Sequence, residues 1–499
     1  MRKWLPLLTI CLGTFMLLID VTIVNVALPD MARDLDASFG SLQWVVNAYA
    51  VAMAALLLGA GSIADLAGHR RIYLGGLAVF AVSSLICGIA PNPVVLIAAR
   101  IAQGVGATAM AATTFPLLNN SYEGRDRGTA YGVWGAIAGA SSAIGPIIGG
   151  VLTEAAGWRW IFFVNLPVSV LAIALCMWVL SEDSETHRAR IDLAGMGTFA
   201  VAAASATYAL IRANEHGWSD TGTVSMLVVA AVALAAFVIA ERRATDPLLD
   251  LNLLRERSFA GVLIAAVALF FAAFAALMYT SIWLQSVLGM TPIQAGLIGL
   301  PLSAMAFVVS GGFGRYLHGA NAGRIIGSGL LVIGAGGLVG ALLVHGDASW
   351  PALVPGFLLI GGGVGFATAT LGSATMSTVP PQRGGMATGA VNTAQQLGMA
   401  FGIAVLGGVF TARARTVLGA RDVPDAEASA RAVAGGRSAM LPPQLQDAVH
   451  ASAVAGVQGA LAVAGVVGVI GGLAALALIR PARAAAIADA ELEPETAGR

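Results

Sequence analysis

Apolar runs long enough to cross a bilayer recur along almost the whole chain, and this recurrence limits the fold more than any other feature. A hydrocarbon core about 30 Å thick takes about 20 helical residues. Inside it every backbone N–H and C=O must be satisfied within the segment, which points to bundled helices for runs of this kind. A window of about 19 residues finds about fourteen runs, near 5–28, 44–64, 72–90, 94–115, 128–151, 161–180, 193–212, 222–241, 259–285, 293–313, 325–344, 353–375, 386–411 and 452–479. The chain is 58% hydrophobic and 11% charged, against roughly 25% charged in soluble domains, so a water-soluble enzyme is excluded. The expected fold is an all-α membrane protein of about 14 transmembrane helices.

Met1-Arg2-Lys3 ahead of the first run imitates a signal peptide, but the run continues through Val26 and many others follow. It reads as the first membrane helix. Lys+Arg and Asp+Glu are 27 each, so no nucleic-acid partner is expected and charge informs only by position. The even-numbered connections hold Arg70, Arg71, Arg125, Arg127, Arg188, Arg190, Arg242, Arg243, Arg255, Arg257, Arg315, Arg324 and Arg383. The positive-inside rule then puts both termini in the cytoplasm. The exception is the extracytoplasmic loop 412–450, with Arg413, Arg415, Arg421, Arg431 and Arg437; its Ala-rich stretch is either a surface helix or mobile. Lys3 is the sole lysine, so no P-loop lysine exists and a self-contained ATP-driven pump is excluded. Abundant Arg, Ala and Gly hint at a GC-rich bacterial genome, hence a bacterial plasma membrane. Cys11, Cys87 and Cys176 lie in apolar runs and read as small core residues. Neither a cofactor nor a metal is expected.

A weak internal repeat organises the runs. Gly104-Val105-Gly106 with Arg127-Gly128 is echoed by Gly363-Val364-Gly365 with Arg383-Gly384, and Gly61, Gly68 and Arg70 more faintly by Gly312, Gly319 and Arg324. Both echoes are offset by eight runs, which gives two pseudo-symmetric six-helix halves around an inserted pair and a pathway between the halves. The expected boundaries are 1–190 for the first half, 191–257 for the inserted pair and cytoplasmic linker, 258–482 for the second half and 483–499 for a tail.

Charges inside a membrane cost about 2.5–3.5 kcal/mol each, so each needs a reason. Asp20 lies about two turns from the outer end of the first run and Arg100 about two turns from the outer start of the fourth. At matched depth they either form a structural ion pair or share a water-filled cavity. A carrier that opens to each side in turn needs a titratable group, and Asp20 is the first candidate because His69, His187, His216, His318, His345 and His450 all lie in connections. Glu154, just past the fifth run, is a second candidate. The absence of embedded His or paired carboxylates argues against an intramembrane enzyme. Asn392, Gln395 and Gln396 share one helical face, as pathway lining or as a hydrogen-bonded seam. Between the second and third runs, Gly61 and Gly68 permit a tight turn, Asp65 can cap an adjacent helix, and Arg70 and Arg71 can meet carboxylates or helix C-termini, which together would form a cytoplasmic latch. In the fifth run Gly145 and Gly149 make a small face and Pro146 bends the helix.

Taken together these segments resemble the major facilitator superfamily, and within it the fourteen-helix drug/proton antiporter branch. Gly61–Arg71 resembles the signature loop after helix two, with Leu66 where a basic residue is usual. Leu96–Gly106 is similar to the helix-four motif, Gly139–Gly150 to the antiporter motif of helix five, Ile19–Pro29 to the helix-one motif, and Trp158–Pro167 to the branch's lead-in to helix six. The resemblance implies secondary active export of amphipathic small molecules such as drugs or antibiotics. It places Asp20 and Arg100 in proton coupling, with Asn25, Gln103, Asn392, Gln395 and Gln396 in the pathway. The expected partners are a small-molecule substrate, protons and the lipid bilayer, around a monomer. Export of one endogenous metabolite, or proton-coupled uptake on the same fold, stays open at this point.

Overall fold

The computed structural model describes residues 2–36, 39–181, 192–244, 247, 249–317, 321–346, 348–380, 383–436, 438 and 441–480. Among them every regular element is helical and no strand forms. Fourteen long helices follow one another: α1 (Leu5–Asp34), α2 (Phe39–Ala67), α3 (His69–Gly88), α4 (Pro93–Ser121), α5 (Gly124–Ala156), α6 (Asn165–Val179), α7 (Leu193–His216), α8 (Thr221–Arg243), α9 (Arg257–Val287), α10 (Pro292–Leu317), α11 (Ala322–Leu343), α12 (Val354–Ser377), α13 (Gly384–Ala420) and α14 (Gln446–Leu478). Twelve segments are long and apolar enough to cross a membrane, and thirteen when the two arms of α2, bent by 55° between Trp44–Leu57 and Gly59–Ala67, are taken as one span.

Most described connections are short and turn the chain back, so the helices they join are antiparallel; that from α13 to α14 is longer and carries a helix of its own, Ala426–Ala434. We name the face at which α1 begins the terminal face, and the opposite one the distal face. The backbone N–H of Arg480, just past α14, meets Ser258 Oγ at the start of α9 (3.2 Å), on the terminal face. Helices α1–α6 pack on one another, as do α9–α14, and each group encloses its own apolar core. Helices α7 and α8 pair with each other, and α7 lies across α2 and α13.

Glycine decides how closely these helices cross. On α4, a Cβ at Gly104 would meet Tyr49 O of α2 at 2.9 Å, and one at Gly106 would meet Gly76 O of α3 at 2.7 Å. On α12, a Cβ at Gly365 would meet Ala306 O of α10 at 2.8 Å, and one at Gly363 would meet Gly329 O of α11 at 2.3 Å. Each pair thus touches the helices one and two before its own, but in opposite order: Gly104 and Gly365 meet the helix two before, Gly106 and Gly363 the helix one before. Without a hydrophobic drive between helices in lipid, such backbone approach supplies much of the packing.

Three features differ from the sequence expectation. Helix α1 continues to Asp34, so Asp20 sits mid-helix, about four turns from its distal end. The extension past the apolar run is held by Asp34, which accepts from Trp158 Nε1 (3.0 Å) and pairs with Arg159. Hydrogen bonds from Arg159 and then Trp158 hold the Asp34 carboxyl below the usual carboxylate range. That bracing is present above the ordinary carboxylate range and is lost only as pH falls through the lowered value. Helix α13 likewise runs to Ala420, past the expected limit of 411, and the Ala-rich stretch is a short helix, Ala426–Ala434, that buries Ser429, Ala430 and Val433. In α9, Phe270–Ala275 and Trp283–Val287 are π-helical. Between them Tyr279 donates to Ile403 O of α13 (2.6 Å).

The two helix groups touch toward both faces: near the distal one a Cβ at Gly150 of α5 would meet Ile293 Cγ1 of α10 at 2.9 Å, and hydrogen bonds join the groups toward the terminal one. Ser310 Oγ of α10 donates to Gly132 O of α5 (2.7 Å) and Asn392 Nδ2 of α13 to Ala111 O of α4 (3.2 Å). Gly372 of α12 lies flat against the Tyr131 and Phe115 rings, where a Cβ would come within 2.8 and 3.0 Å.

Candidate functional site

Burying a charge requires a partner and enough hydrogen bonds to replace water. Among the described residues Asp20, Arg100 and Glu241 are the buried charged side chains. The first two meet. Arg100 and Gln103 lie one turn apart on α4 and so project from one face; Asp20 reaches them from α1, Ser84 from α3 and Asn165 from the first turn of α6. Arg100 Nη1 pairs with Asp20 Oδ2 and also donates to Gln103 Oε1 (2.7 Å). Gln103 Nε2 donates to Asp20 Oδ1 (2.9 Å) and to Ser84 Oγ (2.8 Å), and Asn165 Nδ2 donates to Asp20 Oδ1 (3.3 Å). Arg100 Nε donates to Val45 O of α2 (3.0 Å), and its guanidinium stacks over Tyr49, 4.4 Å from the ring centroid.

Both oxygens of Asp20 are thus engaged as acceptors, and its side chain is 0% exposed. Protonation would remove the negative charge and add an O–H donor to a carboxyl that faces three donors, and so weaken all three contacts. The helix-five glycines lie directly behind it. A Cβ at Gly145 would fall 1.8 Å from Thr22 Oγ1, and one at Gly149 would fall 2.8 Å from Ile23 Cγ1, on the turns of α1 that flank Asp20. Gly145→Val should therefore displace α1 at a cost of about 1–3 kcal/mol. The thermal midpoint of the purified variant checks this, and an unchanged midpoint would refute it.

The turn between α2 and α3 has Gly68 at φ 95°, a conformation that favours glycine. Gly61 lies buried in the last turns of α2. Asp65 accepts the Met386 N–H at the start of α13 (3.0 Å) through Oδ2, and Oδ1 contacts His69 Nε2 (3.0 Å). Arg70 donates to Met177 O near the C-terminus of α6 (2.8 Å), and Arg71 is exposed.

Other expected residues lie elsewhere. Glu154 is exposed in the last turn of α5, apart from the Asp20 network. Asn392 is at the seam, and Gln395 and Gln396 are half-buried farther along α13. The backbone is helical through Asn25 and Pro146, whose side chains lie outside those described. Sequence reasoning missed Ser84, Asn165 and Tyr49 as partners. Asn165 could have been found as an amide opening an apolar helix; a single serine and tyrosine give no such signal.

A polytopic helical bundle with one sealed acid–base network between its helices is the architecture of a membrane carrier. Residues 10–403 match the Major Facilitator Superfamily. The chain belongs to that superfamily and is a multi-pass membrane transporter, not an enzyme. It is 38% identical over 410 residues to the Multidrug resistance protein Stp of Mycobacterium tuberculosis, covering 82% of this chain and 76% of that one. It is 36% identical to the Puromycin resistance protein pur8 of Streptomyces alboniger (82% and 82% covered). To the Tetracenomycin C resistance and export protein of Streptomyces glaucescens it is 32% identical (91% and 88% covered). Among solved structures, the human organic anion transporter MFSD10 (TETRAN) shares the fold, with a TM-score of 0.63 at 14% identity, covering 95% of this chain and 99% of that one.

Proposed function

We propose that the chain is a proton-coupled exporter of amphipathic small molecules, drugs or antibiotics, working as an antiporter in a bacterial plasma membrane. It spans the membrane fourteen times with both termini in the cytoplasm, so the terminal face is cytoplasmic. Residues 1–190 and 258–482 are the rocking halves, and 191–257 are the inserted pair and its linker. The observation that carries this reading is the sealed network around Asp20, because a buried carboxylate that accepts from Arg100 and Gln103 of α4 and from Asn165 of α6 cannot bind a proton without weakening contacts among three helices. Protonation of Asp20 from outside releases Arg100 and Gln103. The halves then part at the terminal-face seam, and the proton leaves inward as substrate is captured. Relatives named for resistance and export of antibiotics support the direction of transport. The names of two of them, each tied to one compound, favour a dedicated exporter as the second reading.

An efflux and susceptibility panel in a pump-deficient host tests both. Expression should raise tolerance to at least one amphipathic compound, and collapse of the proton gradient should abolish the gain. Resistance that survives that collapse would refute proton coupling; tolerance to one compound alone would select the dedicated exporter.

A further inference from the structure

The inserted helices have no part in the Asp20 network, yet the chain that leaves them reaches the terminal-face seam. Glu241, buried in the last turn of α8, accepts the Leu249 N–H through Oε2 (3.0 Å). Leu249 itself is seated in an apolar cluster with Phe237 of α8, Phe259 of α9 and Met386 and Ala387 of α13. This double hold aims the next residue, Asp250, at Arg383, with Oδ2 2.6 Å from Nη1, while Asp250 Oδ1 accepts the Asn252 N–H (3.0 Å).

Arg383 is the N-cap residue of α13 and supplies no capping side chain. Orphan N–H groups at a helix start need an outside acceptor, and Asp65 of the first helix group provides one at Met386. Two acids from separate segments thus meet one helix turn. Asp65 caps it across the seam, and Asp250 fixes its cap residue from the linker. On the other flank the inserted pair touches α2 mainly through apolar contacts, with Met196 over Gly59 and Tyr208 stacked on Trp44 at 5.2 Å. Flexible, apolar surfaces of this sort can slide.

We propose that Asp250 and Arg383 are positioning residues of the terminal-face latch: their ion pair locks the first turn of α13 where Asp65 can cap it, so the inserted pair travels with α13 and sets how readily the seam opens. The proposal rests on the alternating opening described under Proposed function. Burial pushes the Asp250 carboxyl up, but the Arg383 guanidinium and the Asn252 N–H outweigh it and hold it below the usual carboxylate range. The pair therefore keeps its charges from neutral into mildly acidic conditions, and acts as a standing brace.

The test uses full-length protein in inverted membrane vesicles with Ser310→Cys as reporter. Ser310 is fully buried in the seam, well away from the ion pair in the sequence, and the native cysteines are buried too. A membrane-impermeant maleimide added at the terminal face should label it faster in Asp250→Asn and in Arg383→Gln, by about threefold to fivefold, as befits a partly exposed pair. The double variant should be no faster than either single, and the exchanged pair Asp250→Arg/Arg383→Asp should return toward the parental rate. Unchanged labelling in the singles, additive effects, or failure of the exchanged pair to recover would overturn the role of the ion pair. Asp65→Asn serves as a control: if neither it nor the parent is ever labelled, the opening of this seam is itself refuted, whatever Asp250 does.

Discussion

Asp20→Asn should reduce pH-gradient-driven efflux to the level of vesicles lacking the protein, while the transporter remains folded in the membrane. The substitution keeps the shape of the side chain and an oxygen that accepts from Arg100, but removes the group that binds a proton. Arg100 retains Gln103 Oε1, Val45 O and the face of Tyr49, which softens the cost of about 3–5 kcal/mol for removing one partner of a buried pair. Initial rates in vesicles with an imposed pH gradient, normalised to folded protein, give the result. Transport at the parental rate would sink the assignment of Asp20 as coupling group.

The reverse truncation should act on folding. Arg100→Met removes the cation and leaves the Asp20 carboxylate enclosed with only amide donors. Breaking one partner of a buried pair costs about 3–5 kcal/mol, whereas removing both charges is far milder. Arg100→Met should therefore fall sharply in membrane abundance and thermal stability, and Asp20→Asn/Arg100→Met should recover much of both without recovering transport. A double variant as unstable as the single would mean that Arg100 is needed for its packing against Tyr49 and Val45, not as a counter-charge.

The legibility of this chain follows the strength of the signals it carries. A charge in an apolar run is rare and expensive, so Asp20 and Arg100 stood out, and their spacing from the run ends placed them at similar depth. Gln103 was expected to line the substrate pathway, and the structure instead shows it bonded to Asp20 and Arg100. Ser84 and Tyr49 did not stand out, because a small hydroxyl or a single ring costs little in a helix and gives no sign of which neighbour it faces, whereas Asn165 opens an apolar helix and could have been found. The end of α1 was misjudged because apolarity marks where lipid stops, whereas the helix continues until its last carbonyls and its charged tip find partners, here Trp158 and Arg159. The π-helical turns of α9 are formed against α13 and leave no local trace.

The sequence alone determined the all-helical membrane class, because apolar runs of this length have almost no other solution in lipid, and it determined which charged residues must be explained. The glycine spacing also implied close crossings, since only residues without a side chain allow backbones to touch. The tertiary structure decided which crossings those are. It also decided that Asp20 is enclosed by donors from two helices, α4 and α6, and that Asp65 caps a helix 321 positions away. Contacts of that range are set by how whole helices pack, and local residue patterns carry no record of them.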